Sequence, residues 1–156
     1  MNNHGRAAVF LAVMSFLPSR GVRAQPLELV RDLQPGSDDH SDDRIYAGPI
    51  PLATVNGRAL IYAYRGNGIL WSSDGTALGT TAIADVGGSG SDPGVVYETP
   101  RRVFFWASDG RASRLWRTDG SRLGTFMLAD PNGSELAYGV RGQTAAGAGD
   151  GIFLAA

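Results

Sequence analysis

The stretch ILWSSDGTALGTTAIADV, residues 69–86, returns as RLWRTDGSRLGTFMLADP, residues 114–131, with Leu-Trp, Asp-Gly, Leu-Gly-Thr and Ala-Asp kept and the other positions changed. Trp71 and Trp116 stand 45 positions apart. A repeat of roughly 20–50 residues marks a solenoid, a propeller or an array, because one such unit cannot bury its apolar face alone and must stack on a neighbour. The flanks repeat as well. RALIYA (58–63) lies over RVFFWA (102–107), a reduced copy appears as GIFLAA (151–156), and LELVRDLQPGS (27–37) matches the tail of a unit, with Asp32 in the place of Asp85 and Asp130.

Inside the complete copy the pattern is one of short strands. LATV (52–55), ALIYAY (59–64), ILWSS (69–73) and TTAIADV (80–86) are rich in β-branched and aromatic residues, and Asn56-Gly57, Gly66-Asn67-Gly68 and Asp74-Gly75 separate them. Asn-Gly and Asp-Gly supply the positive φ that tight hairpin turns demand. The chain after residue 24 shows no sustained 3.6-residue apolar period. The expectation is an all-β fold of antiparallel four-stranded repeat units of about 45 residues, partial or open and propeller-like. The units run as a partial one at 25–49, full ones at 50–94 and 95–136, and a partial one at 137–156.

These two motifs resemble the bacterial repeat written Glu-Leu-Trp-x-x-Asp-Gly-Thr, which continues into Gly-Thr, an apolar strand, an Asp and a Pro-Gly-Ser loop. The resemblance covers most of residues 27–156. Ile69 and Arg114 stand where the pattern has Glu, and Ser121 where it has Thr, so no ligand role passes to the missing Glu. The resemblance implies an extracellular propeller-type repeat of bacterial surface or secreted proteins, without an activity carried by the motif itself.

Elementary turn and core chemistry accounts for the kept letters. Leu70 and Trp71, like Leu115 and Trp116, alternate faces on the third strand, so one of each pair is free to be buried between units. A buried Trp covers roughly 150–250 Å² and needs a partner for its ring N–H. Asp74 and Asp119 precede Gly75 and Gly120, where an Asp side chain accepts from turn N–H groups and Gly takes the positive φ. Thr76 and Ser121 add a hydroxyl to the same turn, and Gly79-Thr80 and Gly124-Thr125 open the next strand, which ends at Asp85 and Asp130. These residues form the structural repeat motif, and no catalytic residue is assigned.

The first 24 residues read as a secretory signal peptide: a basic start ending at Arg6, an apolar run from Ala7 to Leu17, a Pro-Ser break, and Val22-Arg23-Ala24 before Gln25. Eleven apolar residues fall short of the roughly 17–25 that a spanning helix needs. No later run is long enough either, so after cleavage the expectation is a chain without a membrane span, secreted or held at the cell surface. Cleavage removes Arg6, Arg20 and Arg23 and leaves 11 arginines against 15 acids, a mildly acidic balance with no footprint for nucleic acid. With no Cys there are no disulfides, thiolate nucleophiles or Cys-based zinc sites.

Chemistry is sparse. His40 is the only histidine after residue 24, and no Gly-x-Ser-x-Gly elbow accompanies it. Around it Asp38, Asp39, Asp42 and Asp43 form an acidic loop that reads as solvated, with a weak calcium site as its functional alternative, although the spacing matches no EF-hand or nonapeptide pattern. Otherwise no metal or cofactor is expected. Glu28, Glu98 and Glu135 are the only glutamates from which a glycoside hydrolase or lyase pair could draw. Tyr46, Tyr62, Tyr64, Tyr97, Trp106 and Tyr138 lie near strand ends, where loops make ligand sites.

The reading is a non-enzymatic extracellular module for binding, adhesion or scaffolding, with a glycan or a protein as partner; the alternative is a carbohydrate-active enzyme with paired carboxylates. About eleven strands make under three four-stranded blades, fewer than the roughly 4–8 that close a propeller. Three arrangements fit that count: a truncated piece of a longer repeat protein, self-assembly of copies into a ring, or an open stack capped by LELVRDL (27–33).

Overall fold

A computed structural model of the chain describes residues 30–33, 49–64, 67–87, 93–108, 111–134, 136 and 144–155. The signal segment 1–24, the acidic loop with Asp38, Asp39, Asp42 and Asp43, and His40 lie outside them. The described residues are all-β. Strands β1 (Ile50–Val55), β2 (Arg58–Tyr64), β3 (Gly68–Ser73) and β4 (Thr81–Gly87) form one antiparallel sheet in the order β1-β2-β3-β4. Strands β5 (Gly94–Glu98), β6 (Val103–Ser108), β7 (Ser113–Thr118) and β8 (Phe126–Met127) form a second sheet in the same sequential order. Strands β9 (Thr144–Ala148) and β10 (Gly151–Ala155) make a hairpin, and no sheet among the described residues closes on itself.

Local chemistry sets these ladders. Asn56 and Gly57 take φ of 49° and 71°, the pair of positive values that a two-residue hairpin turn between right-twisted strands requires. The register slips between Pro51 and Ala53 in β1 and again between Val95 and Tyr97 in β5, so the bulge in the first strand is repeated with the sequence. A bulge raises local twist and makes an edge strand a poorer template for foreign pairing, and Pro51 withdraws one donor from that edge.

Register and parity give each sheet two apolar faces. In the first sheet Tyr62 stands opposite Leu70 and Ile61 opposite Trp71. In the second, Trp106 stands opposite Leu115 and Phe105 opposite Trp116. The Leu70 face, with Val55, Leu60 and Tyr62, packs on Val103, Phe105, Ala107 and Trp116 of the second sheet, and this joint is the main core. The Leu face of one unit therefore meets the Trp face of the next. Leu70, Leu115 and Phe105 are fully buried. Burying one such side chain stabilises by about 1.5–3 kcal/mol.

The other face of the first sheet is closed by Leu33, buried against Ile61, Ala63 and Trp71. LELVRDL was a candidate capping strand, but Val30–Leu33 joins no strand. Leu33 reaches the middle of the sheet's face, where no ladder partner exists, so the segment caps through side chains. Arg31 reinforces it, with its guanidinium 5.5 Å from the Trp71 ring centre and a hydrogen bond of 2.6 Å to the Thr80 carbonyl.

The fourth strands differ. β4 runs for seven residues, whereas β8 stops after two. Leu128 still donates to the Leu115 carbonyl, but the Leu115 N–H goes to Leu136, which itself donates to Leu128. Pro131 follows Asp130 and has no N–H to extend a ladder, so the chain turns back there.

Candidate functional site

The repeated motif folds into the same hydrogen-bonded loop twice, between the third and fourth strands of each sheet. In the first, Asp74 Oδ1 accepts from the Thr76 N–H at 2.9 Å and from its hydroxyl at 2.8 Å. The Thr76 hydroxyl accepts from the Gly79 N–H at 2.9 Å, and the Thr76 carbonyl accepts from the Thr80 hydroxyl at 2.6 Å. Since Thr80 spends its one hydroxyl proton on that carbonyl, the 2.7 Å contact between Ser73 and Thr80 is donated by Ser73, which in turn accepts from the Gly75 N–H.

In the second loop Asp119 accepts from Ser121 at 2.9 and 2.7 Å, Ser121 from the Gly124 N–H at 3.0 Å, and the Ser121 carbonyl from Thr125 at 2.6 Å. Thr118 takes the part of Ser73 toward Thr125 and Gly120. Gly75 and Gly120 hold φ of 91° and 86°. A Cβ on Gly79 would collide with the Asp74 carboxylate, and one on Gly124 with that of Asp119. Each kept glycine is therefore the seat of the kept aspartate.

Donated hydrogen bonds stabilise the charged form of these carboxylates. The Thr76 hydroxyl, with its N–H and Arg58 in support, holds Asp74 below the usual carboxylate range. Asp119 is lowered chiefly by the Ser121 hydroxyl, against a desolvation cost that pushes the other way. Arg58 lies 3.6 Å from Asp74 and also donates to Ser72 and to the Gly79 carbonyl. Asp85, near the end of β4, accepts from the Gly87 N–H and from the Asn67 amide ahead of β3, whereas Asp130 orders the turn after β8 by accepting from the N–H groups of Asn132 and Ser134, both at 2.8 Å.

One expectation fails at the tryptophans. Trp71 and Trp116 were each to find a partner for the ring N–H, and among the described residues neither Nε1 has one. The Trp71 ring faces Leu33, Ile61, Ala63 and the donor-only guanidinium of Arg31, and Trp116 stacks on Phe105; none of these side chains is an acceptor.

Other candidates do not converge. Among the described residues no group of three His, Cys, Asp or Glu side chains could hold a metal. Glu98 is exposed at the end of β5 and borders an open groove of about 450 Å³ with Pro51, Leu52, Ala53 and Leu60. Glu28 and Glu135 lie outside the described residues, as do Tyr46 and Tyr138. Tyr62 is buried in the core, and Tyr64, Tyr97 and Trp106 are half-buried.

Two features escaped the sequence reading. Ser73 and Thr118 are integral to the loops, and the signal was a hydroxyl residue before Asp in both copies. Leu78 and Leu123, kept in both copies, are 95% exposed. No family model matches the chain, and no curated protein or solved structure matches it either.

Proposed function

We propose that the chain is an exported, non-enzymatic, propeller-like repeat module of the Glu-Leu-Trp-x-x-Asp-Gly-Thr type, which presents loops to an extracellular glycan or protein. One observation carries the reading. The kept letters other than Leu78 and Leu123 are consumed in building and stacking the units, while the connections outside the motif vary. β1 and β2 are joined by two residues where β5 and β6 are joined by four, and β2 and β3 by three where β6 and β7 are joined by four. A fixed scaffold with varied loops is the organisation of a recognition surface.

The test is a broad glycan array together with pull-down from envelope extracts, using the full chain recovered after export. Saturable binding that survives Glu98→Gln supports the module. Turnover of a polysaccharide that Glu98→Gln abolishes, with folding intact, overturns it in favour of a carbohydrate-active enzyme.

A further inference from the structure

We infer that the loops between the third and fourth strands are lipid-contacting tips, which insert Leu78 and Leu123 into the surface of a bilayer containing anionic lipid. The two leucines occupy the same place in the repeat and are both 95% exposed. A lone exposed leucine needs no explanation, but a repeated one that contributes nothing to its own loop does. Completion of the stack does not supply it for Leu78. The first sheet already carries the second sheet on one face and Leu33 on the other, and Leu78 touches neither core.

The shape and polarity of the tips fit a lipid surface. Each presents a single, almost wholly exposed leucine, and a bilayer accepts such a side chain without a matching pocket, whereas a protein partner would need two at a set spacing. The backbone around Leu78 is largely satisfied before any contact, which lowers the cost of leaving water. The N–H groups of Thr76 and Gly79 go to Asp74 and to the Thr76 hydroxyl. The carbonyls of Ala77 and Gly79, on either side of Leu78, accept from Arg31 and Arg58. Arg31 flanks the tip where lipid phosphates would lie, while Arg58 beside it is shared with Asp74. At the second tip Arg122 adjoins Leu123, and Arg117 lies 5.0 Å over the ring of Phe126, itself 40% exposed. The aspartate of each loop is engaged by its own hydroxyl and N–H partners, and the exposed Asp74 is also paired with Arg58 at 3.6 Å, so its charge is offset within the loop. Leucine at the tip with arginine behind it is the arrangement of an interfacial contact.

The inference rests on the repeat-module reading and adds a surface to it. The test is sedimentation of the full chain with vesicles of equal parts phosphatidylglycerol and phosphatidylcholine, and with phosphatidylcholine alone. Binding is expected on the mixed vesicles, weakened by salt, and reduced about tenfold by each of Leu78→Ser and Leu123→Ser. Leu123→Trp should retain binding and shift its fluorescence to the blue on vesicles. Circular dichroism of each variant separates loss of the tip from loss of the repeat fold. No sedimentation of a folded wild-type chain overturns the inference, as does equal binding by the serine variants. Self-association without lipid that the serine changes abolish also overturns it, by assigning the leucines to a protein contact.

Discussion

The carboxylate of Asp74 occupies the space that a side chain on Gly79 would need, and Asp119 stands in the same relation to Gly124. Gly79→Ala must therefore push the carboxylate out of its loop, forfeiting the hydrogen bonds from Thr76. The expected result is a lower urea midpoint at unchanged slope. In Asp74→Ala the obstacle is gone, so adding Gly79→Ala to it should cost far less than Gly79→Ala alone. Additive losses would show that the two positions are not coupled in this way.

A hydroxyl is what the loop requires at its third position, and the chain already uses both residues that supply one. Ser121→Thr should be neutral, since Thr76 makes the same bonds in the first sheet that Ser121 makes in the second. Ser121→Ala leaves the Gly124 N–H without its acceptor and removes a donor from Asp119. A loss of about 1–2 kcal/mol is expected by thermal or urea unfolding.

Acid should weaken the fold through the same carboxylates. Asp74 and Asp119 are both depressed in the folded chain, by the hydroxyls of Thr76 and Ser121 first of all. A depressed folded pKa means that the stabilisation is whole above the ordinary aspartate value and is lost as pH falls through that value toward the folded one. The unfolding midpoint should hold steady near neutrality and drop below about pH 4. Asp74→Asn with Asp119→Asn should lower the midpoint at pH 7 and flatten the acid limb. An unchanged acid limb in the double variant would remove these two groups as its source.

The joint between units depends on Asn56. It holds φ of 49° in the turn, its N–H donates to the Pro100 carbonyl at 2.7 Å, and its side-chain amide donates to the Asp119 carbonyl at 2.9 Å. Gly120, next to Asp119, lies so near Val55 that a Cβ there would come within 3.0 Å of it. Asn56→Gly keeps the turn and loses only the amide contacts, whereas Asn56→Ala also strains the backbone. The order of stability should be Asn, then Gly, then Ala, with Ala lower than Asn by about 1–2 kcal/mol. Reversal of Gly and Ala would mean that the positive φ is not maintained in solution.

The strand order and turns were legible because they rest on local chemistry: Asn56-Gly57 dictates its hairpin and the Leu-Trp alternation dictates two buried faces. The partners of those faces were not legible, since parity tells that Leu70 and Trp71 point apart but not that Leu70 meets Phe105 while Trp71 meets Leu33. Those pairings are set by stacking between units. The role of Gly79 was hidden for a related reason. It reads as the residue that reopens a strand, and its real constraint is a carboxylate five positions earlier, brought against it by the loop's closure. Leu78 received no role from its repetition, since nothing in a pattern distinguishes a residue kept for the inside from one kept for the outside.

That distinction is open to direct measurement. Leu70 and Leu78 are both repeated leucines, one with no exposed surface and one almost wholly exposed. Leu70→Ala opens a cavity at the joint between the sheets, among Tyr62, Val86 and Phe105, and should cost about 2–5 kcal/mol. Leu78→Ala removes nothing from any packed contact and should stay within about 0.5 kcal/mol of the parent. The same contrast should hold one unit on, between Leu115→Ala and Leu123→Ala, because the repeat places each pair alike. Chemical denaturation of the four variants decides it. A large loss at Leu78 or Leu123 would mean that these side chains are covered in solution, by a second copy or by residues outside those described, and would withdraw the basis for assigning them to a lipid surface.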